Sequence, residues 1–175
     1  MSKLLPRIST PSGLPRWGGE LDDAMDSFAA SVMRATSVDP VITELVRLRC
    51  AQYHDCRICG SLRLKEATDK GVDEATVAKI ARYEASDLSD AAKAALRLAD
   101  VMIIRPSGAD GSLRADLREH FTESQIAEIC FDIVKWSKQK YLVALRVETP
   151  PWDGLETLSF DEDGNPQIWN HASIK

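Results

Sequence analysis

The sequence predicts an all-α protein: a helical domain over residues 20–146, preceded by an N-terminal arm (1–19) and followed by an irregular C-terminal extension (147–175). Apolar residues recur every three or four positions along most of the chain, which is the period of amphipathic helices. Proline, glycine and capping residues mark the places where this period is interrupted. The 175 residues, of which 44% are hydrophobic, are enough to bury one core without disulfides or metals.

The arm is predicted to be extended, because it carries three prolines and the adjacent Gly18 and Gly19. The first two helices are predicted to begin near Glu20 and after Pro40. Their apolar residues are Leu21, Met25, Phe28 and Val32 in the first helix, and Ile42, Leu45, Val46, Leu48 and Ala51 in the second.

The middle of the chain is predicted to form three more helices. The third runs from about Cys56 to Gly71, since glycine is a common residue at a helix end. A short fourth helix follows Asp73. The fifth opens at Ser89-Asp90 and stops before a proline, which disfavours helical conformation in the residue that precedes it.

The last third of the chain begins with a brief helical turn over Leu113–His120. A longer helix follows, because Thr122 and Gln125 have the spacing of a capping box and apolar residues continue at helical spacing to Leu145. Beyond two adjacent prolines, the extension is expected to be irregular or a short hairpin with its turn at residues 163–165.

Charge and hydropathy disfavour nucleic-acid and membrane partners. The 22 basic and 27 acidic residues give a net charge of −5. The N-terminal apolar run is too brief for a signal peptide, and no later run is long enough to cross a bilayer. We therefore expect a soluble, cytoplasmic protein, in which a close cysteine pair is redox-active or metal-binding more often than structural.

Cys56 and Cys59 form such a pair, and Glu44 lies twelve residues before the first of them. At a helix start, backbone N–H groups and the positive end of the helix dipole favour thiolate. Spacing of one turn lets the two sulfurs form a disulfide. If the second and third helices are antiparallel, Glu44 folds back against the pair, where burial would raise its pKa and let it accept a proton from Cys59.

This arrangement resembles the alkylhydroperoxidase D and carboxymuconolactone decarboxylase superfamily over residues 40–146, with residues 20–39 similar to the added helix of peroxidase-related members. The resemblance implies an all-α protein that assembles as a dimer, trimer or hexamer. It also implies that Cys59 attacks peroxide, that Cys56 resolves the sulfenic acid into a disulfide, and that Glu44 belongs to a proton relay.

The chain departs from the redox-active motif at Arg63, where that motif has histidine four residues after the second cysteine. Arginine does not shuttle protons at ordinary pH, although a guanidinium one turn from Cys59 would stabilise its thiolate. His54, two residues before Cys56, is the candidate substitute for the missing histidine.

The cysteines also have plainer interpretations. Cys56 and Cys59 could be inert core thiols, which is what the apolar surroundings of Cys50 and Cys130 predict for those two residues. Zinc could be held by Cys50, His54, Cys56 and Cys59, but a single CxxC pair disfavours this. No metal or other cofactor is predicted.

Glu44 has a second interpretation as an exposed charge paired with Arg47, three positions further on. Trp136, on the long helix, is predicted to be a packing anchor or to face a subunit contact.

The leading hypothesis is a thiol-dependent peroxidase that reduces hydroperoxides through a Cys56/Cys59 dithiol–disulfide cycle. Its partners would be a hydroperoxide substrate, a thiol reductant and further copies of the same chain in a homo-oligomer. The alternatives are a lyase resembling carboxymuconolactone decarboxylase, and a non-catalytic oligomeric protein whose pair responds to redox conditions.

Overall fold

The computed structural model describes residues 20–138 and 152–169, and helices make up most of them. Within these residues no helix is both long and apolar enough to cross a bilayer. Two 3₁₀ segments span Ile80–Ala85 and Pro106–Gly108. The helices are α1 (Glu20–Met33), α2 (Pro40–Tyr53), α3 (Arg57–Gly60), α4 (Lys65–Asp69), α5 (Glu74–Lys79), α6 (Asp90–Ile104), α7 (Gly111–His120) and α8 (Glu123–Lys138). The strands are β1 (Leu62–Leu64), β2 (Glu156–Phe160) and β3 (Pro166–Trp169).

Helix α2 lies at the centre of the fold and packs against both α6 and α8. Nine of its residues, including Glu44 and Arg47, are buried. A helix that is covered on several sides buries its polar residues along with its apolar ones. This position of α2 decides the environment of the predicted site.

The structure confirms the two helix N-termini that were predicted from capping residues. Ser89 accepts a hydrogen bond from the backbone N–H of Ala92 at the start of α6. At the start of α8, Gln125 N–H donates to Thr122 Oγ1 (3.3 Å) and Thr122 N–H donates to Gln125 Oε1 (3.0 Å), which is the reciprocal capping box. The predicted continuation of this helix to Leu145 lies outside the described residues, as does the predicted arm.

The predicted third helix is wrong as a single element. The chain forms one turn (α3), then β1, then the short α4. Helical hydrogen bonds are replaced because the backbone of β1 has other partners: the Leu62 carbonyl accepts from Arg47 and the Leu64 N–H donates to Glu44. Ser61, just before β1, also has a distant partner, because its carbonyl accepts a hydrogen bond from the N–H of Glu156 at the start of β2.

The C-terminal extension forms the short hairpin that was one of its two predicted forms. Strands β2 and β3 are antiparallel, and the turn between them includes Gly164, with φ at 80°. A side chain at Gly164 would collide with the backbone of Ala30 in α1, so this close approach requires glycine. The sequence did not predict that β2 also pairs with β1, in parallel, in a sheet of order β1-β2-β3.

Candidate active site

The cysteine pair lies at the junction between α2 and α3. Asp55 adopts a positive φ of 47°, which turns the chain, and Cys56 N–H then donates to the Ala51 carbonyl (2.9 Å). Cys56 is the N-cap of α3, and its sulfur accepts a hydrogen bond from Cys59 N–H (3.4 Å). The two cysteines therefore bracket a single helical turn, as their spacing predicted.

Both cysteines belong to the hydrophobic core. Cys56 is 2% exposed and Cys59 is 0% exposed. Because α3 has only four residues, its dipole is much smaller than that of the long helix predicted from the sequence. Stabilisation of a thiolate here requires a nearby charge in addition to the helix start.

Glu44 and Arg47 supply a buried ion pair next to the cysteines. Arg47 Nε lies 2.6 Å from Glu44 Oε2, and Arg47 Nη2 lies 2.8 Å from Glu44 Oε1. Both residues are 0% exposed. Glu44 is paired with Arg47, as one interpretation of the sequence predicted. The predicted exposure of Glu44 is wrong, because α2 is covered by α6 and α8.

The same arginine binds the backbone of the cysteine segment. Its Nη1 donates to the Cys59 carbonyl (2.7 Å) and its Nη2 donates to the Leu62 carbonyl (2.6 Å). Burial lowers the pKa of Arg47, but the charge and hydrogen bonds of Glu44 and the nearby Cys59 and Cys56 raise it above its ordinary value. The sequence predicted Arg47 only as the partner of an exposed Glu44, so its role in binding the cysteine segment was not predicted.

Arg63 was predicted to act one helical turn from Cys59, but that turn does not exist. Arg63 lies in β1 and forms a two-point ion pair with Glu74, at 2.6 and 2.8 Å. Its Nη1 donates to the carbonyls of Gly60 and Leu62. These contacts direct the guanidinium to α5, and any action on the thiols stays a prediction.

His54, the other auxiliary residue, forms the C-cap of α2. Its Nε2 lies 3.1 Å from Ser137 Oγ of α8, so the imidazole links the two helices. A role in proton transfer at the cysteines stays a prediction.

Helix α8 contributes a second group of buried polar residues. Lys135 is 0% exposed, and its Nζ lies 3.1 Å from the centroid of the Trp136 ring. Arg47 Cζ lies 5.7 Å from the same centroid, within the range of a cation–π contact. Trp136 is 1% exposed, so it is a core anchor, and its predicted alternative as a subunit contact is wrong.

Asp132 lies one turn before Trp136 on α8 and is 3% exposed. Burial raises the pKa of this carboxyl to about 7; the charge of Lys135 lowers it, and that of Glu128 raises it. With this pKa the carboxyl group changes its charge near neutral pH, and no pattern in the sequence predicted this.

A cavity of about 450 Å³ is lined in part by residues that neighbour Glu44 in the chain or contact it, but by neither member of the ion pair. Its apolar wall includes Val38, Leu64 and Phe160, and Thr43 contributes a polar group. Leu64 connects it to the site, because the N–H of this residue binds Glu44. Neither sulfur lines this cavity.

Within residues 20–138 and 152–169, no three His, Cys, Asp or Glu side chains are grouped so that they could hold a metal ion.

Comparison with known proteins supports the family resemblance. Residues 19–101 match the profile of the Carboxymuconolactone decarboxylase family. The fold is similar to the crystal structure of a protein of unknown function from Agrobacterium tumefaciens, with a TM-score of 0.66 and 19% identity over 78% of this chain and 94% of that one. The profile match and the similar fold support the resemblance to the alkylhydroperoxidase D and carboxymuconolactone decarboxylase superfamily. The region matched to the family profile contains Glu44, Cys56 and Cys59.

Two curated relatives extend the comparison. Both are uncharacterized proteins of Mycobacterium tuberculosis, from two strains, and each is 39% identical to this chain over 141 residues. The alignment covers 79% of this chain but 50% of each relative, so the chain spans about half the length of the curated proteins it matches.

Proposed function

We propose that this protein is a thiol-dependent peroxidase that reduces hydroperoxides with Cys59 and Cys56. The observation that carries the proposal is the pair itself: two cysteines bracket one helical turn, one accepts an N–H bond at its sulfur, and a buried guanidinium binds the carbonyl of the other. A cation and N–H donors next to sulfur favour the nucleophilic thiolate. The structural relative from Agrobacterium tumefaciens is described as a candidate antioxidant defence protein AhpD, which supports the same chemistry.

The proposed reaction has two steps. The Cys59 thiolate attacks the terminal oxygen of the hydroperoxide, so an S–O bond forms, the O–O bond breaks, and the leaving alkoxide takes a proton to depart as alcohol. Cys56 then attacks the sulfenic sulfur; an S–S bond forms, and the hydroxyl leaves as water with the Cys56 proton. Each peroxide removes two electrons from the pair, and a dithiol reductant returns them.

The test is peroxide consumption by Cys59→Ser and Cys56→Ser variants. We expect Cys59→Ser to fall to the uncatalysed rate, since the nucleophile is removed. Cys56→Ser should react once and then accumulate a sulfenic acid at Cys59 that a sulfenate-trapping reagent labels. Cys130→Ser, which changes a cysteine on α8, is the matched control and should keep the parent rate.

Parent activity in Cys59→Ser would overturn the proposal. Oxidation of the pair by disulfide reagents without peroxide turnover would instead favour the redox-responsive alternative. Turnover of a lactone or small acid that survives thiol alkylation would favour the lyase alternative.

We also propose that the protein is a homo-oligomer that uses the outer face of α8. Phe131 and Val134 lie three positions apart on this helix and are 54% and 46% exposed. Large apolar side chains on one helix face are typical of subunit contacts. Light scattering should show that Phe131→Glu with Val134→Glu lowers the molar mass, whereas Ile104→Glu, on α6, leaves it unchanged. An unchanged mass in the double variant would exclude this face.

A further inference from the structure

The proton acceptors available to the cysteine pair are fewer than the sequence predicted. Glu44 Oε1 accepts from Arg47 Nη2 and from Leu64 N–H (3.1 Å), and Oε2 accepts from Arg47 Nε. Hydrogen bonds and a cation favour the ionised form of a carboxyl group. To accept a proton from a thiol, Glu44 would have to weaken a two-point ion pair in a buried site.

Arg47 is placed to act on the thiols directly. Its Nη1 binds the carbonyl of Cys59 itself, so the guanidinium lies next to the segment that carries both sulfurs. Burial lowers the pKa of Arg47, Glu44 raises it, and the charges of Cys59 and Cys56 raise it further. This attraction is mutual, because a cation that is stabilised by a thiolate also stabilises that thiolate.

Two other cations near Arg47 make different contacts. Arg63 is bound by Glu74. Lys135 reaches the Trp136 ring from α8 at 3.1 Å, whereas the Arg47 guanidinium is the group that bonds the Cys59 backbone. On its own helix, Arg47 is paired with Glu44.

We infer that Arg47 is the positioning residue that stabilises the thiolate form of the pair, and that Glu44 serves as its buried counter-ion and not as the proton acceptor. This inference deepens the proposed peroxidase reaction and rests on it. The thiol proton then leaves to solvent before the peroxide binds, since arginine does not take it up. The attacking species is a preformed thiolate, and no histidine is required at position 63.

The two roles of Glu44 predict opposite results for Glu44→Gln. As counter-ion, its loss leaves the positive charge of Arg47 uncompensated, so the Cys59 thiolate should become more stable and its pKa should fall or stay the same. The pH profile of peroxide reduction should then follow the pKa of the thiol measured by titration in the same variant. As general base, its loss should slow the reaction by about 100-fold or more without lowering the thiol pKa.

The measurement is a pH titration of the ultraviolet thiolate absorbance in the full chain, with Cys59→Ser subtracted to assign the signal. Glu44→Gln combined with Arg47→Met keeps the site neutral and should raise the pKa of Cys59 by about one unit or more, which lowers the thiolate fraction near neutral pH about tenfold. Arg63→Met is the matched control, because it removes the guanidinium that the sequence predicted to act on the thiols. The pKa of Cys59 in this variant should equal that in the parent.

The titration does not depend on a substrate, so the two proposals fail separately. If peroxide is not reduced but the thiol pKa follows Arg47, the peroxidase proposal fails, and only the stabilisation of the thiolate by Arg47 is retained. If peroxide is reduced and the double variant titrates like the parent, or Arg63→Met shifts the pKa instead, the inference is overturned. Circular dichroism of each variant verifies that it is folded.

Discussion

Arg47→Met is expected to lower the free energy of unfolding by about 3–5 kcal/mol, the largest single effect on stability predicted for this protein. The substitution keeps the aliphatic stem but leaves the Glu44 carboxylate ionised and buried without its cation. It also removes the donors that bind the carbonyls of Cys59 and Leu62. An uncompensated buried charge is costly because the site is covered and water cannot replace the lost partner.

Urea denaturation of three variants tests this expectation. Glu44→Gln combined with Arg47→Met should recover about half of the loss, since no charge remains buried while the Cys59 carbonyl still lacks the guanidinium donor and the Leu62 carbonyl keeps only its bond from Arg63. Arg63→Met is again the matched control; its ion pair with the largely exposed Glu74 should contribute about 1 kcal/mol or less. Equal stabilities of the Arg47 and Arg63 variants would contradict a buried, structurally essential pair.

Asp132→Asn is expected to make the protein more stable at pH 8 while leaving its stability at pH 4 nearly unchanged. Burial raises the pKa of Asp132 from 3.8 to about 7. Between these values the unfolded chain has lost the proton and the folded chain keeps it. The parent therefore loses stability as the pH rises from 4 to 7, by an amount on the order of 3 kcal/mol.

The neutral amide removes this dependence, so the variant should show a flatter stability profile. Urea denaturation at unit steps from pH 4 to pH 8 measures both curves. Asp153→Asn, which neutralises an exposed carboxylate, is the control and should follow the parent. Parallel curves for Asp132→Asn and the parent would show that Asp132 is already ionised in the folded protein at pH 4.

Local sequence signals predicted the helix boundaries that depend on neighbouring residues. Ser89 and Thr122 cap their helices as expected, because a cap is formed by side chains within three positions of the backbone groups they bind. The spacing of Cys56 and Cys59 likewise fixed their position on one turn. These contacts need nothing from the rest of the fold.

The predicted helix from Cys56 to Gly71 failed for the opposite reason. Its backbone groups are bound by Arg47 and Glu44 from α2 and by β2, almost 100 residues further along the chain. Helical period within the segment carries no information about partners that distant. The strand β1 exists because these distant groups satisfy its polar backbone.

The role of Arg47 was missed because its exposure was judged from sequence. A Glu and an Arg three positions apart on a helix are a common surface pair. Burial of α2 between α6 and α8 turned this pair into an ion pair that also binds the cysteine segment. The polar residues of a helix do not indicate how many other helices pack against it, so its burial could not be predicted from them.

The sequence by itself determined the helical class, the helix caps, the superfamily resemblance and the cysteine pair with its upstream glutamate, since all of these depend on residue identity and short spacing. Only the tertiary structure decided that the glutamate is bound to an arginine, that Arg63 is held by Glu74, and that Asp132 is buried. The physical reason is that the electrostatic character of a group depends on which other elements exclude water from it, and those elements are far away in the chain.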